Sequence, residues 1–342
     1  MPESPAMPTM VRAAVLAHFF EVAQDLGWNP IPVMREAGLT RASVDKQDHR
    51  IPSDTAVALL ETAAASTGCE TFGLRMAESR HLSHLGVVSL LITHQPTLRD
   101  ALVTTMQYRH LLNSSLAMQI EDDGEWVLIR EEVVMDRPSR QVNELALGVL
   151  FRLCAAVLGT RWKPYSVNFT HSAPKDMAIH RRLFPCTLEF DSDFNGIVCR
   201  ASNLDAPNPA ADPGMARCVR QLLETMPALS DPSMVMEVRK AIYLMLPAGR
   251  ANSACVAEGM GLSVRSLQRA LDGAGTSFSA LLHQVRTELA SYYVENPALD
   301  LGRMAGLLGY GSHASFTRWF TGQFGMAPSR WRTRGGRLTE TA

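Results

Sequence analysis

Apolar positions along this 342-residue chain change their spacing from one stretch to the next, and the changes divide it. Val15, Leu16, Phe19 and Val22 form a helical stripe between Val11 and Leu26. Ser53-Asp54 reads as a cap for a second helix running toward Ala65, and Thr97 to Leu112 as a third. The spacing then shortens to two. Leu116 to Ile120 and Trp126 to Val134 predict a β-hairpin around the Asp123-Gly124 pair, so the acidic run from Glu121 to Glu125 reads as a solvated turn. Gln141 to Leu158 is a strongly apolar helix. Tyr165 to Thr170, Thr187 to Asp191 and Gly196 to Arg200 predict short strands. This part is expected to be an α+β domain with a modest antiparallel sheet.

From Met234 onward every apolar pattern has helical spacing, and turns are marked by Gly249, Gly261, Gly273 to Gly275, Pro297, Gly309 and Pro328. An all-α domain of about a hundred residues is expected there. Two Pro-rich breaks precede it, Asp205 to Gly214 and Met226 to Pro232. Between them Cys218, Leu222 and Leu223 give Met215 to Thr225 the spacing of a connecting helix. The expected organisation is a first domain over 1–214, a connecting helix and linker over 215–232, and a second domain over 233–342, with the boundary near Pro232.

Within the second domain, Val256 to Leu271 has the make-up of a helix-turn-helix. Ala257 is small where two helices cross, Gly261 stands four positions on with the φ > 0 freedom a tight turn needs, and Ser263 is placed to cap the next helix. Val264, Leu267 and Leu271 would be buried, leaving Arg265, Ser266, Gln268 and Arg269 outside, side chains able to reach base edges and phosphates. The pattern recurs 48 residues later with one extra residue in the turn: Ala305, Gly309, Phe316 and Phe320 repeat the framework, and His313, Ala314, Thr317 and Arg318 face outward. Phe278 to Val294, ended by Asn296-Pro297, reads as a linker helix about 25 Å long. Two units so joined could read adjacent major grooves, about 34 Å apart on one face of DNA.

The charge balance agrees once it is divided. The whole chain carries 33 Lys+Arg against 34 Asp+Glu, which by itself disfavours nucleic acid as a partner. Residues 233–342 hold 12 basic and 7 acidic side chains, and the remainder 21 and 27, so the neutral total joins two opposed parts. The six cysteines form no C-x-x-C pair, and most are expected to be buried small hydrophobes. No apolar run reaches about 18 residues and the first residues lack the pattern of a signal peptide, so the sequence predicts a cytoplasmic chain with no membrane partner.

At this point the second domain resembles the DNA-binding domain of AraC-type transcriptional regulators. The resemblance covers the last hundred residues and rests on both turns and on Gly309-Tyr-Gly-Ser, Ser315-Phe-Thr-Arg-Trp-Phe320, Phe324-Gly-Met-Ala-Pro328 and Trp331-Arg332. It implies that the second helix of each unit enters the major groove of double-stranded DNA. Arg265, Gln268 and Arg269 would then read from the first unit, and His313, Ala314, Thr317 and Arg318 from the second. It also implies a structural role for Arg286, with Ala290, on the linker helix. Two departures stand out. Ala314 occupies a position where polar base-reading residues are common, and Gly302 and Gly306 weaken the helix ahead of the second turn by about 1 kcal/mol each.

Residues 11 to 215 resemble, more loosely, the "arabinose-binding" regulatory domain of one branch of these regulators. The match rests on Thr97 to Leu102 with Tyr108-Arg109, on Phe184 to Phe190 with Asn195, and on Asn203 to Pro207. This implies an activator controlled by a small-molecule effector, with RNA polymerase as a further partner and a homodimer as an available assembly. Tyr108, Arg109 and Asn143 are the effector-contact candidates, Arg109 for a carboxylate. Two alternatives stay open: a constitutive regulator whose first domain only dimerises, and an enzyme fused to a DNA-binding module. The chain has no G-x-S-x-G, G-x-x-x-x-G-K or H-E-x-x-H. His81, His84, His94 and His110 lie among few acidic ligands, and the scattered cysteines do not form the zinc cluster of methyltransferase regulators. No enzyme activity, metal or cofactor is expected.

Overall fold

Backbone hydrogen bonding accounts for the largest difference between the chain and the pattern it was read from. The computed structural model describes residues 9–135, 137–225, 233–296 and 299–333. The boundary expected near Pro232, Pro297 and the first residues lie outside the described residues. Near the start, where one helix was expected from Val11 to Leu26, β1 (Met10–Arg12) pairs antiparallel with β2 (Arg50–Pro52). A short 3-10 turn, Ala13–Leu16, follows, then a break at His18 with φ 67°, and only then the helix Phe19–Asp25. The amide groups of Ala13 and Ala14 bond to the carbonyls of His49 and Gln47, so this backbone is satisfied across the chain instead of along a helix.

The chain divides into two units, the first holding residues 9–133 and 139–225 of those described, the second 134–138 and 233–333. In the first unit β3 (Leu116–Asp123) and β4 (Trp126–Val133) form the expected hairpin, closed by Asp123 opposite Trp126 and turned at Gly124, φ 70°. The acidic run lies partly within β3 and is paired: Glu121 with Arg130 at 2.8 Å and Asp122 with Arg99 at 2.8 Å. β5 (Ser166–Asn168), β6 (Thr187–Glu189) and β7 (Gly196–Arg200) complete a five-stranded sheet in the order β3-β4-β7-β5-β6. β5 and β6 run parallel, so the sheet is mixed and not wholly antiparallel.

The inward face of β4 is Val127, Ile129, Glu131 and Val133, and the helix Arg140–Leu158 packs on this strand. Ser139 caps that helix by accepting the Val142 amide. It is long and apolar enough to cross a membrane, yet twelve of its residues are buried within the unit. It crosses Phe72–Glu78 closely enough to require glycines. A Cβ on Gly73 would lie 2.0 Å from the Gln141 carbonyl oxygen, and one on Gly148 2.5 Å from the Ala77 Cβ.

Other expected details shift. The helix Ser53–Thr67 begins at Ser53, with Pro52 at the cap position and no side-chain cap. The third helix ends at Gln107 and restarts as Arg109–Leu112. Pro213–Thr225 belongs to the first unit, and of the expected stripe Leu223 is buried, beside Ala216 and Val219, while Cys218 and Leu222 are exposed. Of the cysteines only Cys154 and Cys199 are buried, and all six are thiols. The second unit is helical throughout its described regular structure, as the spacing required.

Candidate nucleic-acid interface

Side-chain caps set the starts of the helices in the second unit. Ser233, Asn252, Ser263, Ser277, Asp300 and Ser312 each accept a backbone amide from the first turn of Met234–Met245, Ser253–Gly259, Val264–Gly273, Phe278–Glu295, Leu301–Leu307 and His313–Phe324 respectively. Each fixes where a helix begins, and therefore which residues fall on its outer face. The first helix-turn-helix is Ser253–Gly259 followed by Val264–Gly273, turned at Gly261 with φ 66°. The second is Leu301–Leu307 followed by His313–Phe324, turned at Gly309 with φ 68°.

In the first unit of the pair Leu267 and Leu271 are buried, as expected, but Val264, the first residue of the helix, is 36% exposed. Arg265, Ser266, Gln268 and Arg269 are all exposed. Ser266 is tied down, its amide and hydroxyl both engaged with the Ser263 hydroxyl. In the second, Phe316 and Phe320 are buried, while His313, Ala314 and Arg318 are exposed. Thr317 is half-buried, its hydroxyl screened from solvent and without a hydrogen-bond partner. Among the described residues, Arg265, Arg269 and Arg318 enter no ion pair, so their guanidinium groups stay available to an anion. Lys240, by contrast, is buried and paired with Glu237 at 2.6 Å.

Arg286 holds the second turn. From the linker helix Phe278–Glu295 it donates to the carbonyls of Leu308 at 3.0 Å and Gly309 at 3.5 Å, and its guanidinium lies 4.6 Å from the Tyr310 ring centre. Trp331 is buried against Phe320 and Phe324, and Trp319 packs against Tyr310, Phe316 and His283, so both tryptophans are packing groups. Two exposed cations escaped the sequence reading, Arg250 and, on Pro328–Thr333, Arg330, both without an ion pair among the described residues. The signal for Arg330 was the Arg330/Arg332 spacing beside Pro328. Arg332 turns inward to the carbonyls of Val294 and Leu299.

In the first unit, Tyr108, Arg109 and Asn143 are each half-buried, and their described bonds are local. Arg109 donates to the Met106 carbonyl at 2.6 Å, and Asn143 accepts the Val133 amide at 3.3 Å. The four histidines of the sequence reading do not converge. His81 and His84 cap each other, His94 contacts the Ala210 carbonyl, and His110 stacks on Tyr108. No group of three or more His, Cys, Asp or Glu among the described residues is placed to hold a metal ion.

Comparison with known families decides the larger question. The profile described as the arabinose-binding domain of AraC transcription regulator, N-terminal, matches residues 27–208, more than half of the chain. The chain belongs to the AraC family of transcription regulators. A helix-turn-helix domain profile matches residues 256–334 and so takes in both turns. Among AraC-family relatives, the HTH-type transcriptional regulator VirS of Mycobacterium tuberculosis is 25% identical over 332 residues, covering 96% of this chain and 98% of that protein. The ornithine utilization regulator of Pseudomonas aeruginosa is 24% identical over 278 residues, covering 80% and 82%. The crystal structure of the transcriptional regulator CdpR from Pseudomonas aeruginosa aligns over 90% of this chain and 98% of its own, at 18% identity and a TM-score of 0.40. This protein is thus a DNA-binding transcriptional regulator.

Proposed function

We propose that the protein is an effector-controlled transcriptional activator that reads two adjacent major grooves of double-stranded DNA with the helices Val264–Gly273 and His313–Phe324. The carrying observation is the set of exposed, ion-pair-free guanidinium groups of Arg265, Arg269 and Arg318 on the outer faces of two separately capped helices. Arginine suits bidentate contact with guanine or phosphate. Gln268 and His313 add hydrogen-bonding groups beside them, whereas Ala314 offers only a methyl group, so the second helix specifies fewer bases than the first. Ser266 and Thr317 complete the set of contact residues, with hydroxyl groups already engaged or screened.

The first unit is the sensor in this reading. Its match to an arabinose-binding profile supports small-molecule control without naming the ligand. Tyr108, Arg109 and Asn143 remain the sequence's candidates for contacting an effector. A ligand acts by binding one conformation of the protein better than another, which changes DNA affinity, self-association or engagement of RNA polymerase. The relatives are regulators, and the reading includes no enzymatic step.

The test is operator binding, with the operator selected from random duplexes by the full-length protein. Arg269→Ala and Arg318→Ala are each expected to weaken binding about tenfold, as loss of a bidentate base or phosphate contact would, while thermal unfolding is unchanged. Transcription from the selected site with RNA polymerase should rise with wild type and not with either variant. Wild-type affinity in both variants would remove the docking arrangement.

A further inference from the structure

The helices Val264–Gly273 and His313–Phe324 start alike, so their outer faces can be matched residue by residue. Ser263 and Ser312 each accept the amide three residues on, at 3.1 and 3.2 Å, and their hydroxyls pair with those of Ser266 and Ser315 at 2.9 and 3.0 Å. One turn later Leu267 and Phe316 are buried, and then Leu271 and Phe320. Counted from the caps, Arg265 corresponds to Ala314, Gln268 to Thr317 and Arg269 to Arg318, while Val264 corresponds to His313. Residues three or four apart adjoin on a helix. The middle of the first face is therefore Arg265 with Gln268, and the middle of the second is Ala314 with Thr317.

We propose that the two helices read half-sites of opposite chemistry: the first by hydrogen bonds to guanine and adenine, the second by methyl contacts with two neighbouring thymines. The inference rests on the docking of both helices in major grooves and supplies the base chemistry of the operator.

On the second face Ala314 is exposed and offers a methyl group alone. Thr317 is half-buried, yet its hydroxyl oxygen is screened from solvent and has no hydrogen-bond partner. What Thr317 shows to solvent is therefore carbon, and a residue that is polar by type is apolar by presentation. Thr321, one turn further on and exposed, gives its hydroxyl proton to the Thr317 carbonyl at 2.8 Å. No hydroxyl proton of these three residues is left for a base. Of the four bases only thymine presents a methyl group in the major groove, and alanine and threonine methyls make the apolar contact to it. Removing such methyl pairs from water favours binding.

The helix Val264–Gly273 is the opposite case. Arg265 and Gln268 are exposed and, among the described residues, their side chains make no hydrogen bond or ion pair. Arginine spans guanine O6 and N7, and glutamine adenine N6 and N7, each through a pair of hydrogen bonds. Arg269 and Arg318 occupy corresponding positions, so the middle pair is what sets the two helices apart. A methyl contact discriminates less sharply than a bidentate one, and the half read by His313–Phe324 is the more permissive.

Base analogues test this without altering the protein. In the duplex selected by the full-length chain, thymines in the half protected by His313–Phe324 are replaced one at a time by deoxyuridine, which removes the 5-methyl group and keeps the pairing edge. At two neighbouring positions the exchange is expected to weaken binding about fourfold, the equivalent of one buried methyl group. Cytosine there should weaken binding further, and 5-methylcytosine should recover part of the loss. Thr317→Ser keeps the hydroxyl and loses the methyl, so it should erase the methyl dependence at one thymine, whereas Thr317→Val should retain it. Ala314→Gly should erase it at the other. In the first half, 7-deazaguanine and 7-deazaadenine, which lack N7, should each weaken binding about tenfold, and Arg265→Ala and Gln268→Ala should remove those losses. A second half selected without thymine, unchanged affinity for every deoxyuridine duplex, or methyl dependence that survives in the Ala314→Gly/Thr317→Ser protein would overturn the proposal and leave the docking standing. Protection of one groove alone, or no selected duplex at all, would remove the two-groove docking and the proposal with it.

Discussion

Glu131 and Glu144 are both carboxyl groups within the first unit, and their neighbours drive them in opposite directions. Glu144 is fully buried, which alone would raise its pKa, but His171 and His180, each 3.2 Å from its Oε1, and Arg140 at 3.1 Å hold it at about 2. Its contribution to stability is present above the ordinary carboxylate range and fades as pH falls toward 2. Glu131 sits on the inward face of β4 with Oε2 unpartnered, and burial, aided by Glu132, raises its pKa to about 8. The folded chain therefore keeps a proton that the unfolded chain releases near pH 4.3. Stability from this group falls as pH rises from about 4.3 to about 8, and Glu132, raised by burial to about 7 against the pull of Asn195, adds to the same window. Glu131→Gln is expected to stabilise the protein at pH 9 by about 1–3 kcal/mol, with little effect at pH 4. Urea unfolding of both proteins across this range checks the sign, and identical pH profiles would refute the assignment.

Among the elements, the linker helix joins two units of unequal self-sufficiency. Among the described residues the first turn is held by backbone bonds and the Ser263 cap, whereas the second also has Arg286 reaching the carbonyls of Leu308 and Gly309 and stacking on Tyr310. Arg286→Met keeps most of the stem and removes the donors. It should lower stability by about 1–3 kcal/mol and weaken operator binding mainly at the half read by His313–Phe324, resolved by hydroxyl-radical footprinting. Uniform weakening over both halves would assign Arg286 a different role. The helix-turn-helix pair was legible because glycine, cap and buried stripe fall at fixed local spacings. The stretch from Val11 to Leu26 was not: its stripe is helical, but the partners that break it, β2, Gln47 and His49, stand some 30 residues away. The mixed sheet was hidden for a similar reason, since β5 and β6 are three residues each and too short to show direction.

At the scale of the molecule, charge is apportioned and not merely balanced. Residues 233–342 carry the basic excess and the remainder the acidic one. Guanidinium–phosphate contacts release counterions, so operator affinity is expected to fall about a hundredfold between about 50 and 200 mM salt, as four neutralised phosphates would give. The slope should lessen by about one unit in whichever of Arg265→Ala, Arg269→Ala and Arg318→Ala touches phosphate. A salt-independent affinity, measured by fluorescence anisotropy, would contradict this electrostatic account.

Lys240 is buried. It is the only lysine in residues 233–342; the other three, Lys46, Lys163 and Lys175, belong to the first unit. With Lys240 enclosed beside Glu237, the helical unit offers no free primary amine on a side chain. Its positive face is built from guanidinium groups, which stay charged throughout the physiological range and are untouched by lysine acetylation. Lysine acetylation would therefore act on the first unit, and amine-coupled dyes or surface linkers would attach there, leaving the side chains of Val264–Gly273 and His313–Phe324 chemically unaltered.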